Sequence, residues 1–304
     1  MVFSILGFSI FAVATAVAKD VQTLLICRFF QGVFGSSPIV VLAAICADIW
    51  KPEQRGPALI LFSVGAFLPP MIAPFVGAFT VTSSLGWRWD CWWIVFLGFV
   101  SAVLSTLVIK ESYPPVVLIA KAKLLRRLTK NWAIHAKQEQ VETNIGVLLE
   151  KHLTRPLRML IQEPILALCG VYISFVYGLM YMTLAAYPFV FQKMHRMSPG
   201  VGSLPFLGIA LGMVVAGATA INANRAWVRR LHANNNKAIP EWRMPFAAIG
   251  AVFFAIGIFW FGWSGNYSSV HWIVPTIAGT FVGFGLLMIF MQLIMYIIDG
   301  YLML

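Results

Sequence analysis

The sequence predicts an all-α polytopic membrane protein, and three observations carry that prediction. Eight apolar stretches recur along the 304 residues, separated by short polar breaks and one basic segment of about fifty residues. Hydrophobic residues make up 60% of the chain and charged residues 11%, roughly half the share usual in soluble domains. A run of ~18 or more apolar residues crosses a hydrocarbon core only as a helix, because lipid offers backbone N–H and C=O groups no partners. No stretch is left over for a soluble domain.

Spans are expected at 1–18, 21–46, 57–81, 91–109, 164–191, 201–223, 245–263 and 270–298. Met1 begins inside an apolar run, without the basic region or small-residue cleavage site of a signal peptide, so the first segment is expected to stay in the membrane. The second span holds Arg28, the one basic residue well inside a span. Mid-membrane arginine costs ~2.5–3.5 kcal/mol on insertion scales, so it is expected to face protein or water. Gln31 and Gly32 share its helix face, followed by Gly35 and Ser36. That stripe suits either a structural arginine tying helices together or one that handles substrate or protons. Asp48 closes the same helix, where the dipole opposes a carboxylate unless a cation compensates it. Lys51 and Arg55 follow across a tight turn, either as an ion-pair latch or as solvated turn charges.

The third span carries Gly65, Pro69, Pro70, Pro74 and Gly77. Interior prolines free carbonyls and kink a helix, so a hinge or sealing segment is expected here. The fourth span leads into the basic loop, 110–163, which divides the chain into parts 1–109 and 164–304. Within it, Val116 to Leu128 mixes apolar and basic residues at helical spacing. It reads as a helix along the inner leaflet or as a solvated linker helix. Gln162-Glu163-Pro164 marks the start of the fifth span. In the sixth, Gly208, Gly212 and Ala216 share one face, a stripe that lets a neighbouring helix approach closely. The remaining spans offer aromatic and amide groups, among them Tyr177, Tyr181 and Gln292. They suit the wall of a cavity for a greasy ligand, or ordinary packing.

The net charge of +11 does not point to nucleic acid, because the charges lie between the spans. With a cytoplasmic N-terminus, seventeen of the 22 basic residues fall in cytoplasmic loops and four in outer ones. Both termini are therefore expected in the cytoplasm. The four cysteines lack CxxC spacing and the five histidines form no ligand pair, so neither disulfide nor metal is expected. Every Asp and Glu falls at a span end or in a loop. With no paired acidic or histidine cluster inside a span, catalytic residues and cofactors are not expected, and an intramembrane enzyme is disfavoured.

These residues resemble the major facilitator superfamily, in its twelve-helix drug:proton antiporter branch as found in fungi. Arg28-Phe29-Phe30-Gln31-Gly32 is similar to the RxxQG motif of that family's fourth helix, and Ala47-Asp48-Ile49-Trp50 through Arg55-Gly56 to the turn after it. Leu68 to Ala78 resembles the antiporter motif, GPxxGG at its core, although Ala73-Pro74 and Gly77-Ala78 replace two of its glycines. Glu111-Ser112-Tyr113-Pro114-Pro115 resembles the start of the central loop, and Pro240-Glu241-Trp242-Arg243-Met244-Pro245 the loop before the ninth helix.

The resemblance implies a partial major facilitator fold, helices three to ten in two groups of four. Helices four, seven and ten would line the cavity, and five and eight would join the halves. It implies proton-coupled export of small hydrophobic or cationic organic compounds from the plasma membrane by alternating access. Arg28, Gln31, Asp48 and Arg55 would serve transport and coupling, Pro70, Pro74 and Gly77 the hinge, and Tyr177, Tyr181 and Gln292 the cavity. The partners implied are the bilayer, a small organic substrate and protons, with no obligate protein partner. A truncated relative unable to transport is the alternative.

Overall fold

The computed structural model describes residues 1–50, 52–109, 111–140, 154–235 and 239–301. Among them are eleven α-helices and no strand. They are α1 (Val2–Val17), α2 (Val21–Ile49), α3 (Pro52–Phe67), α4 (Pro69–Thr82), α5 (Trp87–Val108) and α6 (Pro114–Thr129). The second part contributes α7 (Arg155–Gln162), α8 (Pro164–Pro188), α9 (Phe206–Ala233), α10 (Met244–Gly265) and α11 (Ile273–Tyr301). A π-helix, Phe189–Met194, prolongs α8.

Seven helical segments are long and apolar enough to cross a membrane, with α3 and α4 together forming one of them. The first expected span is shorter. Helix α1 has 16 residues, about 24 Å at 1.5 Å per residue, against a hydrocarbon core of about 30 Å. The third span breaks between α3 and α4, at Leu68. Pro69 and Pro70 have no N–H to donate to the carbonyls four residues back, and their rings crowd that turn. The Leu68 N–H still reaches the Val64 carbonyl at 2.9 Å, and the chain restarts with Met71 bonded to the Leu68 carbonyl.

Packing is uneven between the two parts. In the span within α11, 67% of the residues are buried, against 6% in that of α2. Helix α11 is sheathed by α9 and α10, and glycine lets the backbones meet. A Cβ at Gly212 would run into the Thr280 carbonyl, and one at Gly257 would lie 2.7 Å from the Val282 nitrogen. The Gly208–Gly212–Ala216 stripe thus faces α11, with Ala216 fully buried. In the first part α1 packs between α2 and α5. Phe11 stacks on Phe30 and Phe34, with centroids 5.1 and 5.6 Å away, and Ser9 seats against Gly98. The broken span crosses to the second part, where Val64 meets Gly217 of α9.

Candidate membrane-embedded site

At the break in the third span, Phe67 ends α3 and meets two helices of the second part. Its ring lies 4.8 Å from that of Phe290 on α11 and 6.4 Å from that of Tyr177 on α8. Tyr181, one turn beyond Tyr177, completes the group with its ring 5.0 Å away and the two hydroxyls 3.4 Å apart. At 1.5 Å per residue, Phe67, Tyr177 and Phe290 sit about 17–22 Å from the helix ends that the charge bias assigns to the cytoplasm, and Tyr181 about one turn further, at about 26 Å. Tyr177 and Tyr181 are 39% and 55% exposed, so their faces and hydroxyls remain available. Aromatic faces hold apolar bodies and attract cations, while a phenol supplies a polar handle.

A second, polar group forms where α2, α4 and α5 approach one another. Arg28 is exposed on α2, and its guanidinium lies near Cys91 of α5. The neighbouring Asp90 carboxylate occupies the space above Gly77 of α4, where an added Cβ would lie 2.9 Å from Oδ2. Asp90 stands in the first turn of α5, where the helix dipole favours an anion. The structure therefore links two residues singled out by sequence, Arg28 and Gly77, through the start of α5. Sequence reasoning passed over Asp90 because it lies at a span end. The signal available was an acid three residues into an aromatic-rich helix start, Trp87 to Asp90.

The seam between the broken span and α9, with the turn that precedes it, closes at three levels. Asn224 of α9 presses its carboxamide on Gly56, Val64 meets Gly217, and Phe79 meets Gly200. Asn224 is buried and its Oδ1 finds no hydrogen-bond donor among the described residues. Beside this end, Arg243 donates from Nε to the Asp299 carboxylate at 2.6 Å and from Nη1 to the Met295 sulfur at 3.1 Å. Its guanidinium carbon lies 4.4 Å from the centre of the Trp227 ring. One buried cation thus ties the turn before α10 to α9 and α11.

The remaining sequence-predicted residues are dispersed. Gln31 is half-buried on α2, Pro70 is exposed and Pro74 half-buried on α4, and Arg55 is half-buried in the first turn of α3. Asp48 belongs to the last turn of α2, but its side chain, like all of Lys51, lies outside the described residues. Gln292 differs from expectation. It is 3% exposed, so it belongs to the packed interior around α11 and not to an open cavity wall. Phe290, two positions earlier, faces the tyrosines instead.

The chain is 42% identical over 305 residues to the major facilitator superfamily multidrug transporter FLU1 of Candida albicans, covering 100% of this chain and 50% of the relative. It is 42% identical over 306 residues to the multidrug transporter TPO1_2 of Candida glabrata, again with 100% of this chain and 52% of the relative covered. A citrinin biosynthesis cluster transporter of Monascus ruber is 39% identical over 296 residues, 97% of this chain and 59% of the relative. The chain thus spans about half the length of the curated relatives it matches. The sequence profile of the Major Facilitator Superfamily matches residues 1–301. With its membrane-spanning helices and this match along almost its whole length, the chain is a multi-pass membrane protein and belongs to the major facilitator superfamily.

Proposed function

We propose that this chain carries the substrate chamber of a proton-coupled exporter of small hydrophobic or cationic organic compounds, working by alternating access in the plasma membrane. The carrying observation is the aromatic group Phe67, Tyr177, Tyr181 and Phe290, at mid-membrane level and shared between the broken span and the second part of the chain. Parts 1–109 and 164–304 act as the two moving bodies, joined by the cytoplasmic segment 110–163. Pro70, Pro74 and Gly77 serve the hinge, and Arg28, Gln31, Asp48 and Arg55 the coupling. The test is binding of a fluorescent hydrophobic cation to the purified chain in lipid nanodiscs. Loss of the two aromatic faces in Tyr177→Ala/Tyr181→Ala is expected to weaken binding about 10-fold, at roughly 0.5–1 kcal/mol for each ring. Unchanged affinity in the double variant overturns the assignment. Orientation is tested separately: a reporter inserted in 131–150 should face the cytosol and one near Gly265 the outside.

The uneven burial favours a second reading for transport itself. Helix α2 shows lipid a face with Leu25, Ile26, Phe29 and Val33 exposed, together with Arg28. A charge beside such a face calls for further helices before two complete bodies can rock about the site. On this reading the 304 residues alone insert and bind but do not export. Export from cells expressing only this chain, well above an empty-vector control, sinks it.

A further inference from the structure

We propose that α6, helped by α7, is a docking surface for anionic phospholipid and holds the central segment against the inner leaflet of the bilayer that the chain spans.

The two sides of α6 have different occupants. On one side, Arg126 forms an ion pair with Glu139 of the following 3₁₀ turn, Lys137–Gln140, while Ala122 and Ala136 are buried. The opposite side is uncovered and apolar. Val117, Leu118, Leu124, Leu125 and Leu128 lie within about a third of the helix circumference at 100° per residue, and all are exposed, Leu128 by 72%. Lys121 stands within this face and Arg127 lies beside it, both unburied. Trp132, 73% exposed, follows the left-handed cap at Lys130. An apolar face edged by cations, with tryptophan at its end, matches the boundary between acyl chains and negatively charged headgroups.

Continuity with the membrane selects lipid as the occupant. Five residues, and so six Cα-to-Cα steps, separate the end of α5 at Val108 from the start of α6 at Pro114. At ~3.3–3.6 Å per residue α6 begins within about 20 Å of a membrane-spanning helix end. The far end of the segment repeats the pattern. Helix α7 runs up to Glu163, one residue before α8, and exposes Leu157, Leu160 and Ile161, the last by 84%. Both tethers therefore lead from spanning helices into short helices whose apolar sides no described residue covers.

The test uses the intact chain in nanodiscs. Leu124→Cys is labelled with an environment-sensitive fluorophore, and the unsubstituted chain, whose Cys27, Cys91 and Cys169 are buried and Cys46 half-buried, gives the labelling background. In discs of phosphatidylserine and phosphatidylcholine, the emission should shift to the blue and be quenched by spin-labelled acyl chains. In Lys121→Gln/Arg127→Gln the docked-to-undocked ratio on the anionic disc should fall about 25-fold, at about fivefold for each cation near the surface. A label open to an aqueous quencher in anionic discs shows a solvated helix and overturns the proposal. So does a label shielded from water yet untouched by the acyl-chain quencher, which shows a protein cover.

Discussion

Arg28 and Arg243 are both guanidiniums attached to membrane helices, and their surroundings assign them different work. Arg243 is 4% exposed and meets a carboxylate, a thioether and an indole face. Removing one partner of such a buried pair costs about 3–5 kcal/mol, because the other charge is left behind. Arg243→Ala should therefore lower the thermal stability of the chain in detergent towards that extent, with Asp299→Asn/Arg243→Met recovering part of it. Arg28 is exposed, and beside it on α5 lies the uncharged thiol of Cys91. Arg28→Ala should move the unfolding temperature little, as a net contribution within about 1 kcal/mol implies, while abolishing any proton dependence of ligand binding. Unaltered proton dependence would return Arg28 to a structural role. Glu139 sets a pH limit outside the membrane. Burial raises its pKa, but hydrogen bonds from Arg126 and the Ala136 N–H, with the charges of Arg126 and His135, outweigh this and hold it below the ordinary 4.5. A carboxylate with a depressed folded-state pKa stabilises fully above its unfolded value and loses that contribution as pH falls through the folded one. Hydrogen exchange should thus find 114–140 equally protected down to about pH 4.5 and less protected below. The acid step should vanish in Glu139→Gln.

At the level of the helices, glycine position decides tolerance. A Cβ at Gly212 meets the Thr280 carbonyl and the Phe284 nitrogen, both backbone, so neither can swing aside and α9 must retreat from α11. Nothing lies within 4 Å of a Cβ added at Gly178 on α8. Gly212→Ala should cost at least the ~1–3 kcal/mol of an overpacked core, seen as reduced yield of monodisperse protein, whereas Gly178→Ala should behave as wild type. Equal yields would show that α9 and α11 separate more easily than their contact implies. The Gly208–Gly212–Ala216 stripe announced this face from sequence, because small residues at four-residue spacing fall on one side of a helix. Helix ends were harder to read. The sixth span was expected to stop at 223, yet α9 runs to Ala233 with Trp227 and Leu231 buried. Hydropathy falls at Asn222 to Arg225, but the hydrogen-bonded turns continue because a buried stripe persists beneath the charges. From the proline cluster a hinge or sealing segment is expected; what the structure shows is a helix break at Leu68, where the next two residues lack an N–H.

Across the whole molecule, the sequence revealed a membrane bundle and two of the four aromatic residues at its centre. It did not reveal Phe67 and Phe290 as their partners, because contacts between residues over a hundred positions apart leave no local period. The same blindness hid Asn224 against Gly56. The Gly56–Asn224 contact lies between the two parts and so gives the most direct test of the motion proposed for them. It closes the seam at the end that the charge bias assigns to the cytoplasm, and a Cβ at Gly56 would overlap the Asn224 carboxamide. Gly56→Ala should therefore destabilise the closed arrangement by an overpacking cost of about 1–3 kcal/mol, which shifts a two-state opening equilibrium about 5- to 150-fold. Asn224→Ala should cost little, since its Oδ1 lacks a donor among the described residues, and should create the room that the new methyl needs. The readout is a Tyr181→Cys reporter at the aromatic group, modified from the cytoplasmic side by a membrane-impermeant thiol reagent. Gly56→Ala should speed modification about tenfold or more, and Asn224→Ala in the same chain should restore the slow rate. Acceleration that persists in the double variant would place the gate elsewhere, whereas reversal would make this seam the barrier between the aromatic group and the cytoplasm.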